Sequence, residues 1–301
     1  MFRLRVAAIG IGSNSLRMLV ADISDGKLKR LRRYREGLRV FAALDENRNI
    51  LPDMISNACK SVQAFHDEAK AQGAEHVHLF ATSAVRDAAN QDFFVSELQS
   101  ATGLKLDVCS GDEEASLSFW GAAEGERAGL IDIGGGSTEI AVGSGRKIAD
   151  ALSLQMGAVR LYRMQPIASV EDAMQVVELA RSILQPVEHR FADAANREWV
   201  GVGGTFTTTA ALVQRIPWQQ RENIHGFKLD QASSLETLQF LAPMPLEERL
   251  MLSCLQPQRA DIVVHGIAIL LACMQTLNIS VLTVSEYGNL EGYLKVKYLF
   301  S

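Results

Sequence analysis

Cysteine is scarce and scattered: Cys59, Cys109, Cys254 and Cys273 are the only four in 301 residues, and none stands in a CxxC pair. That pattern argues against a disulfide framework and a structural zinc, and it points to reduced thiols in the cytoplasm. Histidine is equally thin, and its one close pair, His76 and His78 in "HVH", reads as strand sequence rather than as two metal ligands. No apolar run approaches the roughly 20 residues needed to span a bilayer. The densest, "GIAILLACM" from Gly266 to Met274, reads as a buried helix. A secretory leader is not expected, because "RVAAIGIG" runs straight into a glycine turn with no small-residue cleavage site.

What is present describes a globular protein, with 48% hydrophobic and 22% charged residues over a length that suits two domains. The net charge of −5 hides an asymmetry: residues 1 to 40 hold ten Lys/Arg against three acids, so the stretch is +7 and the remainder −12. A basic edge on an acidic protein attracts a polyanion. The same charges on "KLKRLRRYRE" would also serve to block edge pairing of a strand.

The strongest architectural signal is an internal repeat. "IGIGSNS" at residues 9 to 15 recurs as "IDIGGGS" at 131 to 137, aligning Ile9 with Ile131, Ile11 with Ile133, Gly12 with Gly134 and Ser15 with Ser137. Each copy is read as strand, Gly/Ser turn, strand, turn, strand, followed by helical crossovers. The restart places the domain boundary near Gly125, giving domains 1–124 and 125–301 of α/β type.

Gly/Ser turns between antiparallel strands expose consecutive backbone N–H groups, and such nests bind phosphate oxygens. Hairpin geometry alone explains "GIGSNS" equally well. "DIGGGSTE" is more specific, because its three glycines exceed what a turn needs and acids flank both sides. Asp132 and Glu139 there are candidates for holding Mg²⁺, directly or through water. "SGDEEAS" opens a helix that Ser110 or Asp112 would cap, with Glu113 and Glu114 complementing the helix dipole. Arg86 in "ATSAVRDAAN" stands near a helix start, where an arginine suits phosphate. "VGVGGTFTTTAAL" is a strand, glycine turn and helix open to a phosphate, a nucleotide or tight packing.

Together these segments resemble the exopolyphosphatase/guanosine pentaphosphate phosphohydrolase (Ppx/GppA) phosphatases of the actin-like superfamily. The resemblance runs almost end to end, through "GSNS", "ATSAVRDAAN", "SGDEEASLSFWGA", "LIDIGGGSTEIAVG", "SLQMGAVRL", "VGVGGTFTTTAAL", "IHGFKL", "RADIVVHGIAIL" and "SEYGNLEG". It implies two actin-like (ribonuclease-H-like) α/β domains with the site in an interdomain cleft. It also implies Mg²⁺-assisted hydrolysis of a terminal phosphoanhydride of polyphosphate or a guanosine pentaphosphate. Glu114 matches the catalytic glutamate thought to activate water, and Asp132 and Glu139 match the carboxylates around the metal and water. Ser13, Asn14, Ser15, Gly135, Gly136 and Ser137 match the two phosphate-binding turns. Arg86 matches a phosphate-facing arginine, and Gly204 with Thr205 match the third glycine turn. No nucleic-acid or membrane partner is expected, and a homodimer is compatible with the reading.

Two positions depart from the resemblance: Gly10 stands where the family usually has Asp, and Leu290 where it usually has Arg. The paired Asp132 shows the same backbone position accepting a side chain. The expectation is therefore a half-depleted metal site with a high Mg²⁺ requirement, which Gly10→Asp would lower. An alternative from another class is a catalytically weakened phosphate-binding or nucleotide-binding sensor, for which these two departures are the support.

Overall fold

The computed structural model describes residues 3–300, the Arg221 side chain excepted. The chain divides into two compact units: residues through Leu117 together with those from Asn289 onward, and Ser118–Gly288 between them. The division falls inside a helix rather than at Gly125, and the last helix returns to the first unit.

In the first unit β1 (Leu4–Ile11), β2 (Ser15–Ser24) and β3 (Lys27–Gly37) form an antiparallel meander. Helix α1 (Pro52–Ala71) leads to β4 (His76–Ala81), the single turn α2 (Ser83–Arg86), α3 (Gln91–Thr102), β5 (Leu106–Val108) and α4 (Gly111–Ala122). The sheet order is β3-β2-β1-β4-β5, with β4 and β5 parallel to β1. Ile55, Ala58, Val62 and Ala69 form the buried stripe of α1, the helical spacing that an amphipathic helix requires.

The second unit repeats the plan. It holds β6 (Ala128–Ile133), β7 (Thr138–Ser144), β8 (Lys147–Leu154), α5 (Ala158–Met164), α6 (Val170–Leu184), β9 (Glu198–Val202) and α7 (Gly204–Gln214). Strand β10 (Lys228–Asp230), α8 (Gln231–Leu241), α9 (Leu246–Leu250), α10 (Val263–Thr276) and β11 (Val281–Ser285) complete it. Its sheet runs β8-β7-β6-β9-β11 in the order of the first, with β10 added antiparallel beyond β11. Even the irregularities coincide, with a register shift at Val20/Ala21 in one meander and at Val142/Gly143 in the other. This doubled arrangement is the actin-like, ribonuclease-H-like fold. Every residue of α10 from Val263 to Met274 is buried, so the apolar run of the sequence is the core helix of this unit. Among the described residues no helix is long and apolar enough to cross a membrane.

Helix α11 (Asn289–Tyr298) closes the first unit. Its first three residues each meet the sheet: Arg17 Nη2 donates to Asn289 Oδ1 at 3.2 Å, Leu290 lies by Gly10, and Arg30 Nη1 donates to Glu291 Oε1 at 3.4 Å. Further along, the Tyr293 hydroxyl donates to Asp107 Oδ2 at 2.5 Å, and the Tyr293 ring stacks on Phe80 with centroids 4.7 Å apart. Burial and this bond to Asp107 push the Tyr293 phenol far above its ordinary range, so it remains a neutral donor.

Candidate functional site

The two glycine turns share one construction. Gly12 N–H donates to Ser15 O at 3.1 Å in the first, and Gly134 N–H donates to Ser137 O at 3.0 Å in the second. In the second, the start of α5 takes the turn's carbonyls: Ala158 N–H bonds Gly134 O, Val159 and Arg160 N–H bond Gly135 O, and Arg160 Nε–H bonds Gly136 O. A trans peptide points its C=O and N–H in opposite directions. The N–H groups of Gly135, Gly136 and Ser137 are therefore aimed away from α5, as an anion nest requires. Gly157 must be glycine for this contact, since a Cβ there would lie 2.4 Å from the carbonyl carbon and oxygen of Gly135.

The first turn is held the same way by a different segment. Phe41 N–H bonds Ser13 O at 3.0 Å and Arg39 N–H bonds Asn14 O at 3.1 Å, which turns the Asn14 and Ser15 amides the other way. Ser13, Asn14 and Ser15 are all buried, and Ser13 Oγ shares a 2.8 Å hydrogen bond with Ser83 Oγ. Neither Oδ1 nor Nδ2 of Asn14 has a hydrogen-bond partner among the described residues. Buried polar groups are almost always paired, so an orphaned amide beside an amide nest is a place for a ligand.

Glu114 and Arg86 meet within the first unit. Arg86 Nη1 donates to Glu114 Oε2 at 2.9 Å and to Cys109 O at 3.1 Å, while Glu114 is only 6% exposed. The capping role falls to its neighbours: Glu113 N–H bonds Ser110 Oγ at 3.2 Å and Ser110 N–H bonds Glu113 Oε2 at 2.7 Å, a complete capping box. Glu114 is thus not needed to end the helix, and its charge-assisted bond to Arg86 fixes one carboxylate oxygen. Burial, and then the charges of Glu114 and Glu113, push the nearby Cys109 thiol up to about 12, which rules it out as a nucleophile at neutral pH.

In the second unit Asp132 on β6 stands directly opposite Glu139 on β7. Both are buried, and each accepts a serine hydroxyl: Ser118 Oγ donates to Asp132 Oδ2 and Ser153 Oγ to Glu139 Oε1, both at 2.7 Å. Opposed residues of an antiparallel pair lie about 4.5–5.5 Å apart at Cα, so two carboxylates share a buried face. Such a pair suits a divalent cation, and Mg²⁺ often takes only one or two protein carboxylates. Among the described residues no group of three or more His, Cys, Asp or Glu forms a fuller metal site. The third glycine turn borders this pair. Gly203 has φ +92, a conformation that favours glycine, and a Cβ there would sit 2.7 Å from Asp132 Oδ1. The Arg259 guanidinium lies against Gly204, and Thr205 packs on Gly266 of α10, so these two residues are placed among packing contacts as well as at a helix start.

The register explains Gly10. Across the first sheet, Arg35, Arg17, Gly10, Phe80 and Asp107 form one row; the equivalent row of the second sheet is Ser153, Glu139, Asp132, Val202 and Ser285. Where the second unit carries Asp132 and Glu139, the first carries Gly10 and Arg17. A Cβ on Gly10 would lie 2.9 Å from Phe80 Cζ and 3.4 Å from Leu290 Cδ2. The place of the expected carboxylate is occupied by an aromatic ring and a leucine. The two departures, Gly10 and Leu290, therefore lie against each other, and the position expected to face the metal is lined by Phe80 and Leu290. Sequence alone assigned no role to Arg17, whose buried Nε has no partner among the described residues, nor to the two segments Arg39–Phe41 and Gly157–Arg160 that hold the turns, although the second lies within "SLQMGAVRL".

Comparisons with known proteins bear on the family and the fold. A profile described as the Ppx/GppA phosphatase family matches residues 19–299. Exopolyphosphatase 2 of Mycobacterium tuberculosis is 33% identical over 310 residues, covering 96% of this chain and 97% of that protein. The solved Ppx-GppA enzyme of Aquifex aeolicus superposes with a TM-score of 0.81 at 27% identity, covering 97% of this chain and 99% of its own. An exopolyphosphatase structure from Cytophaga hutchinsonii shares the fold with a TM-score of 0.86 at 23% identity, covering 97% of each chain. By the match over residues 19–299 and the identity to its M. tuberculosis relative, the chain belongs to the Ppx/GppA phosphatase family.

Proposed function

We propose that this protein removes the terminal phosphate from inorganic polyphosphate by Mg²⁺-assisted hydrolysis. The observation that carries the reading is the first turn, where the unpartnered Asn14 amide stands beside backbone N–H groups turned away from the Arg39–Phe41 segment. The 33% identical M. tuberculosis relative, an exopolyphosphatase, supports polyphosphate as the substrate. Phosphoryl transfer needs positioning and charge neutralisation more than covalent help. The amides of Asn14 and Ser15 and of Gly135, Gly136 and Ser137 bind phosphate oxygens, Glu114 orients the attacking water, and Arg86 holds Glu114 in place. Asp132 and Glu139 would hold Mg²⁺, which would supply neutralisation of charge on the phosphate oxygens. Four free thiols suit a reducing, cytoplasmic setting.

The test is phosphate release from long-chain polyphosphate, ATP and guanosine pentaphosphate, each with Mg²⁺ and with EDTA. Rapid release from polyphosphate that stops with EDTA is expected; turnover of ATP with polyphosphate untouched would refute the reading. A second measurement probes the turn itself. An unmet buried polar group costs about 1–3 kcal/mol. Asn14→Leu should therefore raise Tm by a few degrees while raising KM for polyphosphate, a trade of binding for stability. A fall in Tm with KM unchanged would make Asn14 a structural residue.

A further inference from the structure

Strand β3 stands at the end of the first sheet's order, so one of its edges pairs with no other strand of the sheet. Over eleven residues it carries Lys27, Lys29, Arg30, Arg32, Arg33 and Arg35 against the single acid Glu36. At about 3.4 Å per residue, this basic edge is roughly 35 Å long. The register distributes the charges on both faces. Lys29 and Arg32 stand opposite Asp22 and Val20, while Arg30, Arg33 and Arg35 stand opposite Ala21, Leu19 and Arg17. The acids nearby already hold partners. Asp22 is bound by Arg3 at 2.5 Å and Arg5 at 2.9 Å, Glu36 accepts the Ser61 hydroxyl, Glu68 accepts from Tyr34 and Gln72, and Glu291 accepts from Arg30.

Blocking of edge-to-edge pairing does not account for this density of charge. The twin strand β8 also ends its sheet, yet its eight residues include one lysine, Lys147, and one acid, Asp150. The same fold position is managed there without a cationic stripe. The stripe also has a direction. Its last residue, Gly37, is the register partner of Ser15, and Arg39 just beyond bonds the Asn14 carbonyl. The basic edge therefore begins at the first phosphate turn and runs away from it, past Arg35, Arg33 and Arg32 to Lys27.

We propose that the free edge of β3 binds the unreacted part of a long polyphosphate chain, an extended polyanion whose end occupies the Ser13–Ser15 turn. This rests on the polyphosphate reading above. The outward-facing backbone N–H groups of an edge strand add donors to the side-chain charges. Exposed contacts of this kind are individually weak, and they are screened as the Debye length shortens to about 8 Å at physiological salt.

The experiment compares wild type with the triple variant Lys29→Gln/Arg32→Gln/Arg33→Gln, after circular dichroism and Tm establish equal folding. Phosphate release is measured on tripolyphosphate and on polyphosphate of several hundred units, and binding of the long chain is measured directly across a salt series. The variant should raise KM for the long chain by about tenfold, the sum of three exposed charge contacts, and leave tripolyphosphate unchanged. Its long-chain binding should also lose part of its dependence on salt. Equal losses on both substrates, or none on the long chain, would overturn the proposal. So would a single-stranded oligonucleotide that binds as tightly and responds equally to the triple substitution. If wild type releases phosphate from neither substrate, the hydrolase reading fails, while the binding series still decides whether the edge holds polyphosphate.

Discussion

Glu114→Gln should lower phosphate release from polyphosphate by about 10²- to 10⁴-fold, the usual loss when a positioned general base is removed. Binding of the substrate should stay close to that of wild type. The start of α4 divides the labour among its acids and Ser110. Ser110 and Glu113 satisfy the helix end between them, so the amide replacement at Glu114 takes nothing from the cap. It keeps the size of the side chain and one acceptor for Arg86, whose Nη1 now bonds Glu114 Oε2 at 2.9 Å. The complementary variant, Ser110→Ala, should behave in the opposite sense, with stability lower by about 1 kcal/mol and kcat intact. Measuring kcat, polyphosphate affinity and Tm in both variants separates the roles. If Glu114→Gln keeps more than half of wild-type turnover, Glu114 is a structural partner of Arg86 and the proposed mechanism is wrong.

The doubled fold was legible because the repeat carries its signature locally. Glycine and serine at matching places between two apolar runs announce the same hairpin turn twice, and the structure duplicates even the Gly–Ser hydrogen bond of each. The meeting of Glu114 with Arg86, and of Asp132 with Glu139, lay in motifs that could be placed one by one. What could not be read has a common physical cause. The segments that hold the turns, Arg39–Phe41 and Gly157–Arg160, act mainly through backbone N–H groups, which leave almost no mark on residue type; Gly157, required by close approach, is the exception. The division of the chain inside α4 has no linker composition to announce it. The return of α11 to the first unit depends on contacts across most of the chain, such as Arg17 with Asn289 and Asp107 with Tyr293. The surroundings of Gly10 were hidden for the same reason: its neighbour Phe80 is adjacent only through the sheet register.

Gly10→Asp is expected to destabilise the protein and to leave its Mg²⁺ requirement where it is. The new Cβ would meet Phe80 Cζ at 2.9 Å, and that ring is fully buried and stacked on Tyr293, so it has little room to give. Overpacking of this kind costs about 1–3 kcal/mol, and a carboxylate set against Phe80 and Leu290 adds the penalty of a poorly solvated charge. Leu290→Arg alone should be damaging as well, since Leu290 is buried. Because the two positions touch, the changes should not add. The resemblance implies an acid and a guanidinium at these places, and Gly10→Asp with Leu290→Arg would build that pair. Adding Phe80→Val, which copies Val202 beside Asp132 in the other unit, removes the obstructing ring. The triple variant should therefore be more stable than Gly10→Asp alone, a coupling that neighbours show and distant sites do not. Thermal unfolding of the single, double and triple variants, with activity titrated against Mg²⁺, decides the matter. If Gly10→Asp unfolds at the wild-type temperature and reaches half-activity at lower Mg²⁺, the space beside Gly10 accepts a carboxylate, and the first repeat is a depleted metal site after all.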